Sequence, residues 1–145
     1  MPEKETLERA EEDKKEGKAP STQAGEFVRE EIEHVREGKH GARSTKQAIA
    51  IGLSKARRGG VKLAAPKKGS KQIREQAARD LKKGSQKSAK KSAKRSRATS
   101  AALKREGHSA ASKRALSRQA RSAARKRSAA ARSRSAKKAA RTRKT

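Results

Sequence analysis

The chain of 145 residues has no Cys, Trp or Tyr, and its one aromatic residue is Phe27. Without Cys, neither a disulfide framework nor a thiolate metal site can form. Without several aromatic side chains, the chain lacks the stacking platforms on which proteins hold single-stranded bases. The sequence therefore excludes a disulfide-stapled fold and argues against recognition of single-stranded nucleic acid.

Large apolar residues are also scarce. Leu, Ile, Val and Phe together number 14 of 145, roughly a tenth, where about a fifth is the level below which highly charged chains are expected to be disordered. Twelve of the 14 lie between Leu7 and Leu81. No apolar run is long enough for a signal peptide or a membrane span, so we expect a cytoplasmic protein with no membrane partner.

Positive charge is what the chain has in excess, with a net charge of +28. Residues 1–40 hold 12 acids and 8 Lys or Arg, whereas residues 41–145 hold 3 acids and 35 Lys or Arg. Residues 85–145 are built almost wholly from Ala, Ser, Lys and Arg, with 22 cations against the single acid Glu106. Such a polycation must be neutralised, and nucleic acid is the polyanion that fits best.

Composition and pattern divide the chain into four segments. Residues 1–20 are predicted to form a frayed acidic helix, residues 21–60 a helical pair, and residues 61–84 a loop and a short helix. Residues 85–145 are a basic low-complexity tail. Because like charges at i and i+4 oppose helix formation, we expect the tail to be disordered, or helical without a core. The predicted fold class is mainly α, with a small, marginally stable head of three to four short helices.

Local signals predict where the helices of the head begin. Ser21 or Thr22 can cap the second helix, and Ser44 with Gln47 three residues later forms a capping box for the third. Ser70 can cap the fourth. The apolar stripes predicted for these three helices are Ala24, Val28, Ile32 and Val35; Ile49, Gly52, Leu53 and Ala56; and Ile73, Ala77 and Leu81.

Two runs carry a resemblance to a known family, GEFVREEI at residues 25–32 and GKHGARSTKQAIAIGL at residues 38–53. They are similar to small basic bacterial proteins of uncharacterised function that are labelled only as DNA-binding. The resemblance covers roughly residues 1–70 and implies no catalytic residues. The tail is similar in composition to the Ala/Lys-rich arms of bacterial histone H1-like proteins, which implies a nucleoid-associated protein.

The leading hypothesis is binding and compaction of double-stranded DNA without sequence specificity. A fully helical tail would carry a positive charge about every 4 Å, against one negative charge per about 1.7 Å of duplex. Two alternatives stay open, an RNA- or ribosome-associated protein that uses the same tail, and an adaptor that tethers a protein partner to DNA. The acidic face that could recruit such a partner comprises Glu26, Glu30, Glu33 and Glu37.

The candidate nucleic-acid-binding residues are cations at both ends of the third helix and every cation of the tail. The connection before the third helix is about six residues long, more than a helix-turn-helix uses, so contacts to the DNA backbone are expected rather than base readout. The candidates are Arg43, Lys46, Arg57, Arg58, Lys87, Lys90, Lys91, Lys94, Arg95, Arg97, Lys104, Arg105, Lys113, Arg114, Arg118, Arg121, Arg125, Lys126, Arg127, Arg132, Arg134, Lys137, Lys138, Arg141, Arg143 and Lys144.

Catalysis and metal binding are not expected. The many Ser residues form no Ser-His-acid arrangement that a firm scaffold could hold, so we predict that the chain is not an enzyme. His34, His40 and His108 lack a familiar ligand spacing and have no Cys to assist them. The sequence therefore predicts neither a cofactor nor a metal site.

Overall fold

The computed structural model describes residues 2–86 and 92–144, and both ranges are mainly helical. A one-turn 3-10 helix at Ser109–Ala111 precedes the sixth helix. The α-helices are α1 (Lys4–Lys15), α2 (Pro20–Arg36), α3 (Thr45–Arg58), α4 (Lys71–Gly84), α5 (Ala93–Lys104), α6 (Lys113–Arg125) and α7 (Ala129–Lys144).

Two of the predicted caps are confirmed and one is wrong. Ser44 Oγ accepts a hydrogen bond from the backbone N–H of Gln47 at 3.1 Å, and Ser70 Oγ accepts one from Ile73 at 3.3 Å. Helix α2 begins at Pro20, before the predicted Ser21 or Thr22, and has no side-chain cap. The ring of Pro20 fixes a helical φ and removes an N–H that would have no partner in the first turn.

Helix α2 lies at the centre, with α1 and α3 packed on it and α4 packed on α3. The backbones of α2 and α3 come into direct contact at Gly52, where an added Cβ would lie 2.6 Å from the Cα of Val28. The stripe predicted for α3 is rotated in the structure, because Gly52 and Ala56 are buried but Ile49 and Leu53 are only half-buried. The buried residues of α3 are Thr45, Ala48, Gly52, Ala56 and Arg57.

The core consists of two small clusters made largely of Ala. The first contains Ala10, Ala24, Phe27, Ala56 and Val61, with Leu53 and Leu63 packed against it. The second contains Ile32, Val35, Ala42, Ala48, Ala110 and Ala111, with Val28 and Leu116 packed against it.

The division into a helical head and a tail without a core is wrong. Ala110 is 7% exposed and Ala111 is fully buried, both in the second cluster. The carbonyl of Ala110 accepts a hydrogen bond from Thr45 Oγ1 at 2.6 Å, and that of Leu103 accepts one from the backbone N–H of Gly41 at 2.8 Å. A count of large apolar residues ignores Ala side chains and backbone hydrogen bonds, and these dock the C-terminal half.

The expectation of a disordered tail is also wrong for residues 92–144. Ser92, Ser112 and Ser128 each accept a hydrogen bond from a backbone N–H three residues on, so each begins a helix as Ser44 does. The cations of these helices are exposed, where water and salt screen their repulsion. Ala-rich propensity and Ser caps therefore outweigh the like-charge pairs.

Candidate nucleic-acid interface

The 19 Lys and Arg residues between 92 and 144 are all exposed. Within the described ranges, none of them forms an ion pair with a carboxylate. No carboxylate of the described residues therefore neutralises these charges. Such a surface is expected of a protein that binds a polyanion. The predicted residues Lys87, Lys90 and Lys91 lie outside the described residues.

Helix α6 carries its arginines on one side. Arg114, Arg118, Arg121 and Arg125 follow one another at intervals of four, three and four residues, so they share one face of the helix. Leu116 lies on the opposite face and packs against the second core cluster. Docking of Leu116 therefore turns the four guanidinium groups outward, along about 16 Å at 1.5 Å per residue.

The start of α3 lies beside this stripe. Arg43 and Lys46 line the same open groove as Arg114 and Arg118, with Ser122 farther along α6. The groove exists because the 3-10 helix before α6 is held against Thr45 by the hydrogen bond to Ala110. The sequence predicts these four cations separately, and the fold brings them together.

Two helix N-termini open at this groove. Ser44 caps α3 and Ser112 caps α6, each through a hydrogen bond of 3.1 Å to a first-turn N–H, and both serines line the groove. The positive ends of two helix dipoles add to the four nearby cations. Anions, and phosphate groups in particular, are favoured at such a position.

Two of the predicted binding residues have other partners. Arg57 is 8% exposed and donates hydrogen bonds to the carbonyls of Leu63 at 3.1 Å and Ala64 at 3.2 Å. Arg58 Nε donates to Asp80 Oδ1 at 2.7 Å, and Asp80 is 1% exposed. Both arginines therefore hold the fold together, and we leave them out of the candidate interface.

A signal for the second of these pairs was present in the sequence. Asp80 is one of only three acids after residue 40, so each of the many nearby cations is a candidate partner for it. The predicted stripe of α4 missed it, because Ile73 is 58% exposed while Ala77 and Asp80 face α3. Asp80 also accepts a hydrogen bond from Ser54 Oγ at 2.7 Å.

The acidic face predicted to recruit a protein partner is largely occupied within the chain. Glu26 accepts a hydrogen bond of 2.7 Å from Arg9 Nε, which raises the pKa of that guanidinium. Glu33 pairs with Arg29 at 3.1 Å, and Glu30 is buried. Glu26 and Glu30 are therefore engaged within the fold, whereas Glu33 and Glu37 are exposed and pair with Arg29 and Lys39 at the surface.

Within the described ranges, no helix combines the length and apolarity that crossing a membrane requires. Comparisons of the chain with protein-family models, with curated proteins and with solved structures found no match, so the resemblance to small basic bacterial proteins stays a prediction.

Proposed function

We propose that the chain binds double-stranded DNA in the nucleoid, largely without regard to sequence, and compacts it. The observation that carries this proposal is the continuous set of unpaired cations formed by Arg43 and Lys46 beside the arginine stripe of α6. We call this set, Arg43, Lys46, Arg114, Arg118, Arg121 and Arg125, the basic groove.

The chemistry of the basic groove suits phosphate better than bases. Five of its six cations are Arg, whose planar guanidinium pairs with phosphate oxygens through two parallel hydrogen bonds. The one aromatic residue, Phe27, is buried in the first core cluster, so it offers no platform for stacking. The groove also lacks large apolar side chains that could wedge between base pairs, which favours coating the duplex over kinking it.

Substitution tests the proposal better than deletion. Removing the C-terminal half would also take Ala110 and Ala111 out of the core, so loss of binding would be ambiguous. The informative variant replaces Arg114, Arg118, Arg121 and Arg125 with Gln. A charge-matched control replaces Lys4, Lys14, Lys15 and Arg29, four exposed cations of α1 and α2, with Gln.

We expect the stripe variant to bind duplex DNA more weakly and with a flatter salt dependence. Each phosphate contact contributes about −0.9 to the slope of log K against log salt, so loss of four contacts reduces the slope by about 3 to 4. The control should keep the slope of the original protein. Equal slopes for the two variants would mean that overall charge, and not the basic groove, binds DNA.

Competition decides between DNA and RNA as the partner. Unlabelled duplex DNA and a structured RNA of equal length are titrated against the bound labelled duplex at one salt concentration. We expect the DNA to compete at least as well as the RNA. If the RNA competed about tenfold better, an RNA- or ribosome-associated role would replace the proposed one.

A further inference from the structure

A buried carboxylate lies between two histidines where α2 meets the loop before α3. Glu31 on α2 is fully buried, and its Oε1 accepts a hydrogen bond from Lys55 Nζ of α3. Its Oε2 lies 3.2 Å from His40 Nε2, but the two atoms are not aligned as a hydrogen bond, and Oε2 has no hydrogen-bond partner among the described residues. A buried carboxylate oxygen without a protein partner is costly, so a cation bound there would be stabilising.

The proton on His40 is placed by its other ring nitrogen. His40 Nδ1 lies 2.9 Å from the carbonyl oxygen of Gly41, which can only accept, so Nδ1 carries the hydrogen. In the neutral ring, Nε2 then carries no proton and lies 3.2 Å from Glu31 Oε2. Two acceptors at this distance repel each other unless a proton or a metal cation is shared between them.

His34 is oriented in the same way. Its Nε2 lies 2.9 Å from Glu3 Oε1, and because a carboxylate accepts, Nε2 carries the hydrogen. Its Nδ1 is left free and lies 3.9 Å from Glu31 Oε1. In metal-ligating histidines, one ring nitrogen binds the metal and the other donates a hydrogen bond to a carboxylate or a carbonyl. His34 and His40 each have the second of these features.

The separations suit a small metal ion. Ligand atoms of Glu31, His34 and His40 all lie within 4.8 Å of one another, and the two imidazoles are edge-to-face with centroids 6.0 Å apart. Two ligands at about 2.0 Å from a tetrahedral metal are about 3.3 Å apart, close to the separation of His40 Nε2 and Glu31 Oε2.

The local charge also favours a cation. Within the described residues, Glu3 pairs with Lys39 and Glu31 pairs with Lys55, whereas the buried carboxylate of Glu30 contacts neither ammonium group and lies 3.7 Å from His34 Nε2. One negative charge therefore stays uncompensated while both imidazoles are neutral. Burial makes such an excess expensive, and a divalent ion would remove it.

We propose that Glu31, His34 and His40 bind a divalent transition metal ion, with Zn²⁺ as the best fit. Two imidazole nitrogens and one carboxylate oxygen are a ligand set that Zn²⁺ accepts, whereas Mg²⁺ and Ca²⁺ require more oxygen ligands. Lys55 Nζ pairs with Glu31 Oε1, and its side chain is 29% exposed, so the ammonium can turn toward water when an ion binds. Bound metal would tie α2 to the loop that carries Arg43.

Zinc competition against a chromophoric chelator tests the site in the full-length chain. We expect one Zn²⁺ per chain, and affinity about 100-fold weaker in His40→Ala and in His34→Ala. His108→Ala is the matched control, because it removes the third histidine, which is exposed and lies outside the cluster. Absence of 1:1 binding, or equal loss in His108→Ala, would overturn the proposal.

A Lys55→Gln variant separates a metal site from a buried ion-pair network. If the cluster only balances charge within the chain, this variant is less stable and Zn²⁺ does not restore it. If the cluster binds metal, removal of the competing ammonium raises the affinity for Zn²⁺ about tenfold, and Zn²⁺ restores the thermal midpoint. Circular dichroism melts with and without Zn²⁺ measure both outcomes, and no change in either quantity counts against the site.

Discussion

The same residue types do different work in the two halves of the chain. In residues 2–86 cations contact specific carboxylates, such as Arg9 with Glu26, Lys18 with Asp13 and Arg58 with Asp80, each at 2.7 Å. In residues 92–144 every cation is exposed, and none contacts a carboxylate of the described chain. Where acids are at hand the cations build the fold, and where acids are missing the cations remain available to an external polyanion.

The halves are nevertheless one structure, joined by a small contact. Ala110 and Ala111 are the two buried residues between 92 and 144, and α5 and α7 bury none. The contact fixes α6 beside α3 and so creates the basic groove. Arg36 Nε also belongs to this contact, because it donates a hydrogen bond to the carbonyl of Ala111 at 2.9 Å. The largest effects should therefore come from this contact.

Ala111→Glu should have the largest effect on stability. A carboxylate at this fully buried position has no partner in the second core cluster, so we expect a loss of about 3 kcal/mol or more in the free energy of unfolding. Urea denaturation followed by circular dichroism measures it. The control is Ala139→Glu, which places the same charge at an exposed position of α7. Equal stability of the two variants would mean that the halves are independent.

Asp80→Asn should have the next largest effect on stability. It tests whether ion pairs stabilise the N-terminal half while the cations of the C-terminal half contribute no such pairs. Asp80 is 1% exposed and holds Arg58 and Ser54, so we expect a loss of about 2 kcal/mol. Arg118→Gln, which removes an unpaired charge from the basic groove, should change stability by less than about 0.5 kcal/mol. If Arg118→Gln proved as costly as Asp80→Asn, the cations of the C-terminal half would have structural partners.

The starts of α3 and α4 could be predicted because caps act locally, whereas α2 begins at Pro20 without a side-chain cap. Ser44 and Ser70 cap the helices that follow them. Ser112 and Ser128 are caps of the same kind, in a region where the repulsion between like charges was overestimated. The buried faces could not be predicted in the same way. The most apolar side chains of a helix are buried only where there is space for them. In α3 the close approach of Val28 to Gly52 determines which face is buried.

One part of the candidate site could be predicted from the sequence, and another part depends on the fold. That the C-terminal cations are unpaired follows from their number and from the scarcity of acids, which composition shows directly. That Arg43 and Lys46 join Arg114 and Arg118 depends on a hydrogen bond between Thr45 and the backbone of Ala110, which no spacing rule predicts. The cluster of Glu31, His34 and His40 was missed because its ligands lie on a helix and a loop and follow no familiar spacing.

Salt should change the stability of helices in the two halves differently, and by less than the substitutions above. Raising the salt concentration screens the repulsion between neighbouring cations of α6 and α7, whereas it weakens surface pairs such as Lys4 with Glu8. We expect about 0.5 kcal/mol more protection from hydrogen exchange in α6 and α7 at high salt. Helix α1 should lose protection or keep it. A parallel change in all helices would contradict the difference between the halves.

The smallest effect concerns one surface ion-pair network and its dependence on pH. Lys18 Nζ lies 2.7 Å from both Asp13 Oδ1 and Glu16 Oε2, and these hydrogen bonds raise the pKa of Lys18 above its ordinary value of 10.5. A raised pKa in the folded state means that the pairing stabilises fully below the ordinary value and is lost as pH rises through the folded one. Lys18→Gln should therefore be less stable than the original protein at neutral pH, and the difference should shrink at strongly alkaline pH.

Lys14→Gln removes the same charge from α1, where Lys14 is exposed and forms no ion pair within the described residues, so it should change stability less. Thermal melts across this pH range would contradict the assignment if Lys18→Gln and Lys14→Gln stayed equally stable throughout, because the pairing with Asp13 and Glu16 would then contribute nothing.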